Sequence, residues 1–210
     1  MIEVVYPPRP EGKIAPNRLV AYEKTGRWVA QRKFNGTHIV LYVHGDTVKL
    51  GHKGREPKQF RLTGNLKNEI LNLNFDPNLK YWLDGELLDA KTKSPGYKGK
   101  IVLYDLIQAG KYFFGGPTLL GRLKLLNEIC RQPQVKEPGL GIALAATENI
   151  WMAETFDHDF SERFKDFLSS DEIEGLVLKK KDSVIKNYGK KEYEVNWLIR
   201  CRKPTKNYTI

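Results

Sequence analysis

Residues 28–43 alternate apolar and polar side chains on both sides of a short segment, Lys33-Phe34-Asn35-Gly36. Alternation with a period of two is typical of half-buried strands, and Asn-Gly between such runs is a strong turn signal. The pattern therefore predicts a strand, a tight turn and a second strand. It constrains the fold more than any other feature, because each strand must turn one face to a core.

The rest of the chain contains more strand patterns than helix patterns. Strands are predicted over residues 47–50, 81–88, 101–106, 142–146, 175–180 and 195–202. Helices are predicted over residues 66–73, 119–131 and 160–168, with Asn65 capping the first and Ser161 the last. Short turns join most strands. This arrangement favours an α+β fold with mostly antiparallel sheets and flanking helices.

Nothing in the sequence divides the chain into separate units. Its 210 residues show no linker, no repeat and no low-complexity segment. We therefore expect residues 1–210 to form one domain. Residues 1–17 contain four prolines and little periodicity, and are expected to form an extended N-terminal arm.

Charge and cysteine content narrow the class of protein. The chain has 35 Lys and Arg against 25 Asp and Glu, a formal net charge of +10, which suggests a polyanionic partner such as nucleic acid or a nucleotide. A merely solvated basic surface is the alternative. No apolar run is long enough to span a membrane, and no secretory signal is evident. Two cysteines favour a reducing, cytoplasmic setting and exclude a disulfide scaffold.

Four short segments contain residues that could carry chemistry. Lys33 precedes the glycine turn, and neighbouring cations such as Arg32 would favour its free amine. Asp84 and Glu86 bracket a glycine in one strand and should share a face. A second carboxylate–glycine pair, Glu174-Gly175, lies at the start of a predicted strand that ends in two lysines. In the last strand Arg200 and Arg202 share a face and are spaced to flank a phosphate chain. Each segment alone could equally be an ordinary surface strand or turn.

Together and in this order, these segments resemble the covalent nucleotidyltransferase superfamily, and within it the adenylation domain of ATP-dependent DNA ligases. The resemblance runs from about Gln31 to Lys203. RNA ligases and mRNA capping enzymes share the same motifs. The resemblance implies the ligase adenylation fold. Residues 204–210 are too few for the OB-fold domain that normally follows, so we expect either an isolated adenylation domain or a minimal DNA ligase.

The resemblance also implies a reaction and its participants. Lys33 would take AMP from ATP, with Mg²⁺ present, and pass it to a 5′-phosphate so that a nick can be sealed. Glu174 would bind the metal. The other residues that match nucleotide-binding positions are Gln31, Gly36, His38, Glu86, Tyr104, Glu174, Lys179, Arg200 and Arg202. Tyr104 would stack on adenine, although a core tyrosine is the competing interpretation.

Five positions depart from the usual family motifs. Asn35 stands where the turn usually has aspartate, and His38 where DNA ligases usually have arginine. Gln31 replaces a common glutamate. The final motif is usually Lys-x-Lys but here is Arg200-Cys201-Arg202, and a register that uses Lys203 remains open.

Nicked duplex DNA is the expected partner, bound by a monomer. Residues 117–126 and 181–197 are similar to DNA ligases, and Lys53 and Arg55 fall where DNA ligases have a DNA-contacting turn. Lys58, Lys91, Lys93, Lys98 and Lys100 are further candidate contacts. Residues 33–37 and 199–202 also resemble one class of RNA ligases. An RNA ligase, a catalytically lapsed nucleic-acid-binding module and a capping enzyme that prefers GTP are the alternatives.

Overall fold

The computed structural model describes residues 6–52, 62–89, 91–110, 116–130, 135–136, 143–185 and 193–204. In these ranges the chain forms short helices packed on strands. The strands are β1 (Arg9–Lys13), β2 (Trp28–Phe34), β3 (Thr37–His44), β4 (Thr47–Gly51), β5 (Tyr81–Leu87), β6 (Ile101–Ala109), β7 (Val135–Lys136), β8 (Ala143–Ala145), β9 (Ile150–Ala153), β10 (Thr155–Phe156), β11 (Ile173–Lys180) and β12 (Glu194–Arg202). The helices are α1 (Leu19–Lys24), α2 (Gly64–Leu71), α3 (Leu119–Ile129) and α4 (Phe160–Lys165). None of the described helices is long and apolar enough to cross a membrane.

The strands form two sheets, which confirms the predicted α+β class. One sheet has the order β1-β12-β11-β2-β10 and the other the order β4-β3-β5-β6-β9-β8-β7. Neighbouring strands run antiparallel except for two parallel pairs, β1 with β12 and β6 with β9. The predicted strand, turn and strand are present as β2 and β3 around Asn35-Gly36, but β2 and β3 do not pair with each other, because β2 lies in the smaller sheet and β3 in the larger.

Two cores account for the alternation in the sequence. The first core lies between the sheets and beneath α1 and α4, and includes Phe34, Trp151 and Leu178. The second lies on the other face of the larger sheet, beneath α2 and α3, and includes Leu41, Leu83 and Leu126. The side chains that alternate with these core residues on β3, β5, β11 and β12 face a cleft between the sheets.

Two predicted helix caps are wrong. Thr63, not Asn65, caps α2, because the Thr63 Oγ1 accepts a hydrogen bond from the Leu66 amide at 3.2 Å and Asn65 already lies in the first turn. Ser161 lies inside α4. The Phe160 amide at the start of α4 instead donates to the carboxylate of Glu23 at 2.8 Å, so a residue from α1 serves as the cap.

The N-terminal segment is partly integrated into the fold. Residues 9–13 form β1, which pairs in parallel with β12 at the edge of the smaller sheet. The preceding residues, from Tyr6 to Pro8, line the cleft. The segment that was expected to be an extended arm therefore contributes one edge strand and part of one wall.

Candidate active site

A cleft of about 940 Å³ lies between the two sheets, a volume at the upper end of the range for small-molecule sites. Eight basic and four acidic side chains line it, so it favours an anionic ligand. The structure brings ten of the sequence-predicted residues to its walls: Gln31, Lys33, Gly36, His38, Glu86, Tyr104, Glu174, Lys179, Arg200 and Arg202. Lys53 and Arg55 lie outside the described residues.

The central strand of the smaller sheet brings three charged groups together. In the pairing of β11 with its neighbours, Gly175 lies opposite Lys33 of β2 and opposite Arg202 of β12. The Nζ of Lys33 is 2.6 Å from the Oε2 of Glu174, and a guanidinium nitrogen of Arg202 is 2.8 Å from the same oxygen. Glu174 therefore holds two cations side by side, both partly exposed to the cleft.

Two glycines allow neighbouring backbone segments to pack closely around Lys33. Gly175 has a φ of +154°, and a Cβ there would lie 2.7 Å from the Cα of Arg202 and collide with the Cys201 carbonyl. A Cβ at Gly36 would collide with the carbonyl of Leu87. Only glycine fits at either position, so the lysine–glycine spacing seen in the sequence reflects close packing around Lys33.

A second carboxylate, Glu86, sits on the opposite wall. Its Oε1 accepts a hydrogen bond from the Gly36 amide at 3.0 Å, which ties β5 to the turn after Lys33. Burial raises the pKa of Glu86, although the charges of Lys33 and His38 oppose the shift. Glu86 is therefore anchored to the turn that follows Lys33.

His38 forms an ion pair with Asp84, which strand alternation places on the same face of β5 as Glu86. Its Nε2 lies 2.6 Å from the Oδ1 of Asp84, and the imidazole is 45% exposed. Partial burial opposes protonation, but the Asp84 carboxylate outweighs it and the pKa of His38 is raised above its ordinary value. The position thus holds a group whose charge, unlike that of arginine, depends on pH.

A third group of residues forms a buried polar pocket. Gln31 Nε2 donates to the Tyr104 carbonyl at 3.2 Å and to Thr155 Oγ1 at 2.8 Å. The Nζ of Lys179 donates to the same Tyr104 carbonyl at 3.2 Å, and burial lowers the pKa of this lysine. Gln31 Oε1 is buried and has no partner among the described residues. Because a carbonyl can only accept, it fixes the amide orientation and leaves Oε1 available to a ligand.

Tyr104 is both a core residue and a cleft residue. Its ring packs against the first core, while its hydroxyl accepts a hydrogen bond from the Phe34 amide at 3.2 Å. Burial raises the pKa of Tyr104 well above its ordinary value, so the phenol stays neutral. Since Tyr104 also lines the cleft, its two interpretations from sequence are compatible.

The structure distinguishes the two registers of the final cationic motif. Arg200 and Arg202 line the cleft, and the buried Nε of Arg200 has no hydrogen-bond partner among the described residues. Lys203 instead donates to the carbonyl oxygens of Phe167 and Ser170. The Lys203 side chain is therefore bonded to the turn at residues 167–170, whereas the two arginines face the cleft.

One expected contribution to the site differs from the sequence interpretation, and two residues were missed. The guanidinium of Arg32 is 2.7 Å from Glu154 Oε2, so the cation that shares a partner with Lys33 is Arg202. Val177 and Thr155 were missed. Alternation along the predicted strand already placed Val177 on the face of Lys179, whereas β10, with Thr155, is too short to leave a pattern.

Comparison with solved structures identifies the fold. The chain is similar to the ligase domain of LigD from M. tuberculosis, with 16% identity and a TM-score of 0.62 over 94% of this chain and 59% of that one. It is similar to a mycobacterial DNA ligase D complexed with ATP, with 17% identity and a TM-score of 0.55 over 84% and 54%. It is also similar to a Lig E DNA ligase, with 15% identity and a TM-score of 0.55 over 95% and 70%.

These likenesses confirm, at the level of the fold, the resemblance on which the sequence interpretation was based. The chain has the fold of DNA ligase domains and spans somewhat more than half of the LigD and DNA ligase D chains. No protein-family model and no curated sequence matches it.

Proposed function

We propose that the protein is an ATP-dependent polynucleotide ligase that seals nicks in duplex DNA through a lysine–AMP intermediate. The observation that carries the proposal is the contact of Lys33 and Arg202 with one oxygen of Glu174, at 2.6 and 2.8 Å, inside a basic cleft. The fold shared with DNA ligase domains supports it.

In the first step the Lys33 amine attacks the α-phosphorus of ATP. The ammonium gives up a proton, for which the Glu174 carboxylate at 2.6 Å is an acceptor within reach. A nitrogen–phosphorus bond forms, the bond to pyrophosphate breaks, and a second proton leaves the nitrogen. Arg200 and Arg202 neutralise phosphate charge without giving up protons of their own.

In the next steps AMP passes from Lys33 to the nucleic acid. An oxygen of a 5′-phosphate attacks the same phosphorus, the bond to Lys33 breaks, and the nitrogen recovers its protons. A neighbouring 3′-hydroxyl then displaces AMP, which closes the phosphodiester and releases one proton. Positioning and charge neutralisation supply most of the catalysis in such transfers.

Magnesium would enter with the nucleotide. Among the described residues no cluster of His, Cys, Asp or Glu side chains could hold a metal by itself. Glu174 nevertheless offers the hard oxygen that Mg²⁺ accepts, and Mg²⁺ commonly completes its shell with substrate phosphates and water. When bound, the ion would offset phosphate charge at Glu174.

The buried polar pocket supports adenine as the base. Gln31 Oε1 presents an acceptor and Lys179 Nζ a donor, and both side chains are oriented by the Tyr104 carbonyl. Adenine presents the complementary pair, its N6 amine and its N1 acceptor, whereas guanine presents the opposite polarity at O6 and N1. We therefore expect ATP rather than GTP to be used.

The first experiment follows the mass of the intact protein with ATP and Mg²⁺. The wild type should gain one AMP, Lys33→Ala should gain none, and Lys24→Ala, which removes an exposed lysine outside the cleft, should match the wild type. GTP should give little product. Freshly purified protein must first be shown to be free of bound AMP.

The labelled protein is then mixed with nicked DNA duplex and, separately, with nicked RNA. Discharge and sealing on DNA are the expected result. Discharge on RNA alone would make the protein an RNA ligase, a class whose motifs the chain also resembles. A protein that binds DNA but never accepts AMP would be a binding module, and the enzymatic proposal would be wrong.

A further inference from the structure

The loop between β5 and β6 is attached to the same short segment as the turn that follows Lys33. The buried Glu172, just before β11, accepts hydrogen bonds at Oε1 from the backbone amides of Lys93 at 3.1 Å and Ser94 at 2.7 Å. The Asn35 amide donates to the Glu172 carbonyl at 2.8 Å, and the Asn35 side chain donates to the Asp171 carbonyl. Residues 171–172 therefore connect the loop to the turn that follows Lys33.

The loop also begins beside that turn. The Leu87 carbonyl, at the end of β5, approaches Gly36 so closely that no side chain fits between them. Thr92 is buried, and its amide donates to the Asp89 carbonyl at 3.0 Å. Asp89 and Thr92, the described residues that flank Lys91, are thus held near the end of the cleft that contains Lys33.

The lysines of this loop differ in what they contact. Lys93 Nζ is 2.8 Å from the Asp171 carboxylate, and Lys100 Nζ donates to the Glu148 carbonyl at 2.6 Å and lies over the Trp151 ring. Lys91 is exposed, lines the cleft and has no ion-pair partner among the described residues. Lys98 is exposed but does not line the cleft.

We propose that Lys91 is a phosphate ligand at the Lys33 end of the cleft, and that Glu172 is the positioning residue that holds it there. The two hydrogen bonds to Glu172 fix the backbone at residues 93–94, and a cation two residues from such an anchor loses less freedom on binding than one on an untethered loop. The phosphate belongs either to the triphosphate of the nucleotide or to the nucleic-acid backbone. The inference rests on the proposed function, because that function supplies the nucleotide and the nucleic acid as the two sources of the phosphate.

The test compares Lys91→Met with Lys98→Met, which removes the same charge from the same loop. One arm measures equilibrium binding of α,β-methylene ATP, which cannot transfer AMP to Lys33, and the other measures binding of nicked DNA at several salt concentrations. Lys91→Met should weaken one of the two by about tenfold relative to Lys98→Met. A loss in the ATP arm assigns the triphosphate, whereas a loss in the DNA arm with a salt slope smaller by about one assigns a backbone phosphate. Equal behaviour of both variants in both arms would overturn the proposal.

Glu172 is tested by two substitutions, of which only one keeps a hydrogen-bond acceptor. Glu172→Gln keeps an oxygen that can accept both amides and should behave like the wild type. Glu172→Met should reproduce the binding loss of Lys91→Met, and adding Lys91→Met to it should cause little further loss. The positioning role would be excluded if Glu172→Met binds like the wild type and its unfolding transition, followed by circular dichroism, also matches the wild type.

These binding measurements do not depend on turnover. If the wild type never accepts AMP on Lys33, the proposed function is wrong, and the binding arms still decide whether Lys91 contacts phosphate. If AMP is accepted and Lys91→Met matches Lys98→Met, only the inference about Lys91 fails.

Discussion

The amine of Lys33 lies 2.6 Å from a carboxylate oxygen of Glu174, although 140 residues separate them in the chain. The same oxygen contacts Arg202. One carboxylate therefore keeps two cations adjacent, which would otherwise repel each other in the partly desolvated cleft. This arrangement holds Lys33 at a defined position on the wall of the cleft.

Replacement of Glu174 should slow the reaction of Lys33. Glu174→Gln keeps the shape of the side chain but removes the charge shared by Lys33 and Arg202. We expect the rate of AMP transfer from ATP to Lys33 to fall about 100-fold, because a small displacement of a reacting group has an effect of this size. Single-turnover labelling with ATP measures it, with Glu194→Gln on the exposed face of β12 as the matched control. Unchanged labelling of a folded Glu174→Gln protein would contradict the proposed role.

Gly175 should not tolerate any side chain. Gly175→Ala places a methyl group against Cys201 and Arg202 at a backbone angle that alanine rarely adopts, so we expect the free energy of unfolding to fall by about 1–3 kcal/mol. Gly12→Ala, also on a strand of the same sheet, is the control, because its nearest neighbour would be 3.8 Å from the new Cβ. Urea denaturation of both variants measures the difference. Similar midpoints for the two would show that β11 can move away from β12.

The His38–Asp84 pair should make stability depend on pH. The pKa of His38 is higher in the folded protein than its ordinary value, so its contribution is fully present below the unfolded pKa and is lost as pH rises through the folded pKa. His38→Asn should therefore destabilise the protein at pH 6 more than at pH 9. Denaturation across this pH range measures the difference. A constant difference at all pH values would mean that the charge of His38 does not contribute.

A buried ion pair connects α3 to β6 and should be sensitive to the loss of one partner. Arg122 Nε is 2.9 Å from Asp105, and a further nitrogen donates to the Ser183 carbonyl at 2.9 Å. Arg122→Met leaves the Asp105 carboxylate buried without its cation, and we expect a loss of about 3–5 kcal/mol. Asp105→Leu combined with Arg122→Met should recover part of that loss. Thermal or urea unfolding gives both values, and a double variant less stable than Arg122→Met would contradict this account.

Much of the fold could be predicted from local sequence pattern. The alternation around Asn35-Gly36 predicted β2, the turn and β3 almost to the residue, and strands ending near Leu88, Lys180 and Arg202 were also found. These segments are long enough for a period of two to stand out. The strands β9 and β10 were missed because they are short, and a short apolar run carries no clear period.

The candidate site was predicted less by pattern than by the order of its motifs. Strand alternation correctly placed Asp84 with Glu86 and Arg200 with Arg202 on shared faces. It could not decide between Arg202 and Lys203, since that choice depends on the turn at Phe167 and Ser170, where Lys203 finds its acceptors. The caps of α2 and α4 were assigned incorrectly for a similar reason. One depended on the residue at which α2 begins, and the other on Glu23, which is distant in the sequence.

The sequence by itself determined where the longer strands lie, which of their side chains alternate toward a core, and which residue types could bind a phosphate chain. These properties follow from neighbours along the chain, because side chains alternate every residue in a strand. Only the tertiary structure decided that Lys33, Glu174 and Arg202 meet, that Gln31 and Lys179 share the Tyr104 carbonyl, and that Lys91 rather than Lys93 or Lys100 lines the cleft. Such contacts depend on sheet order and register, which are set by the packing of two cores and not by any single segment.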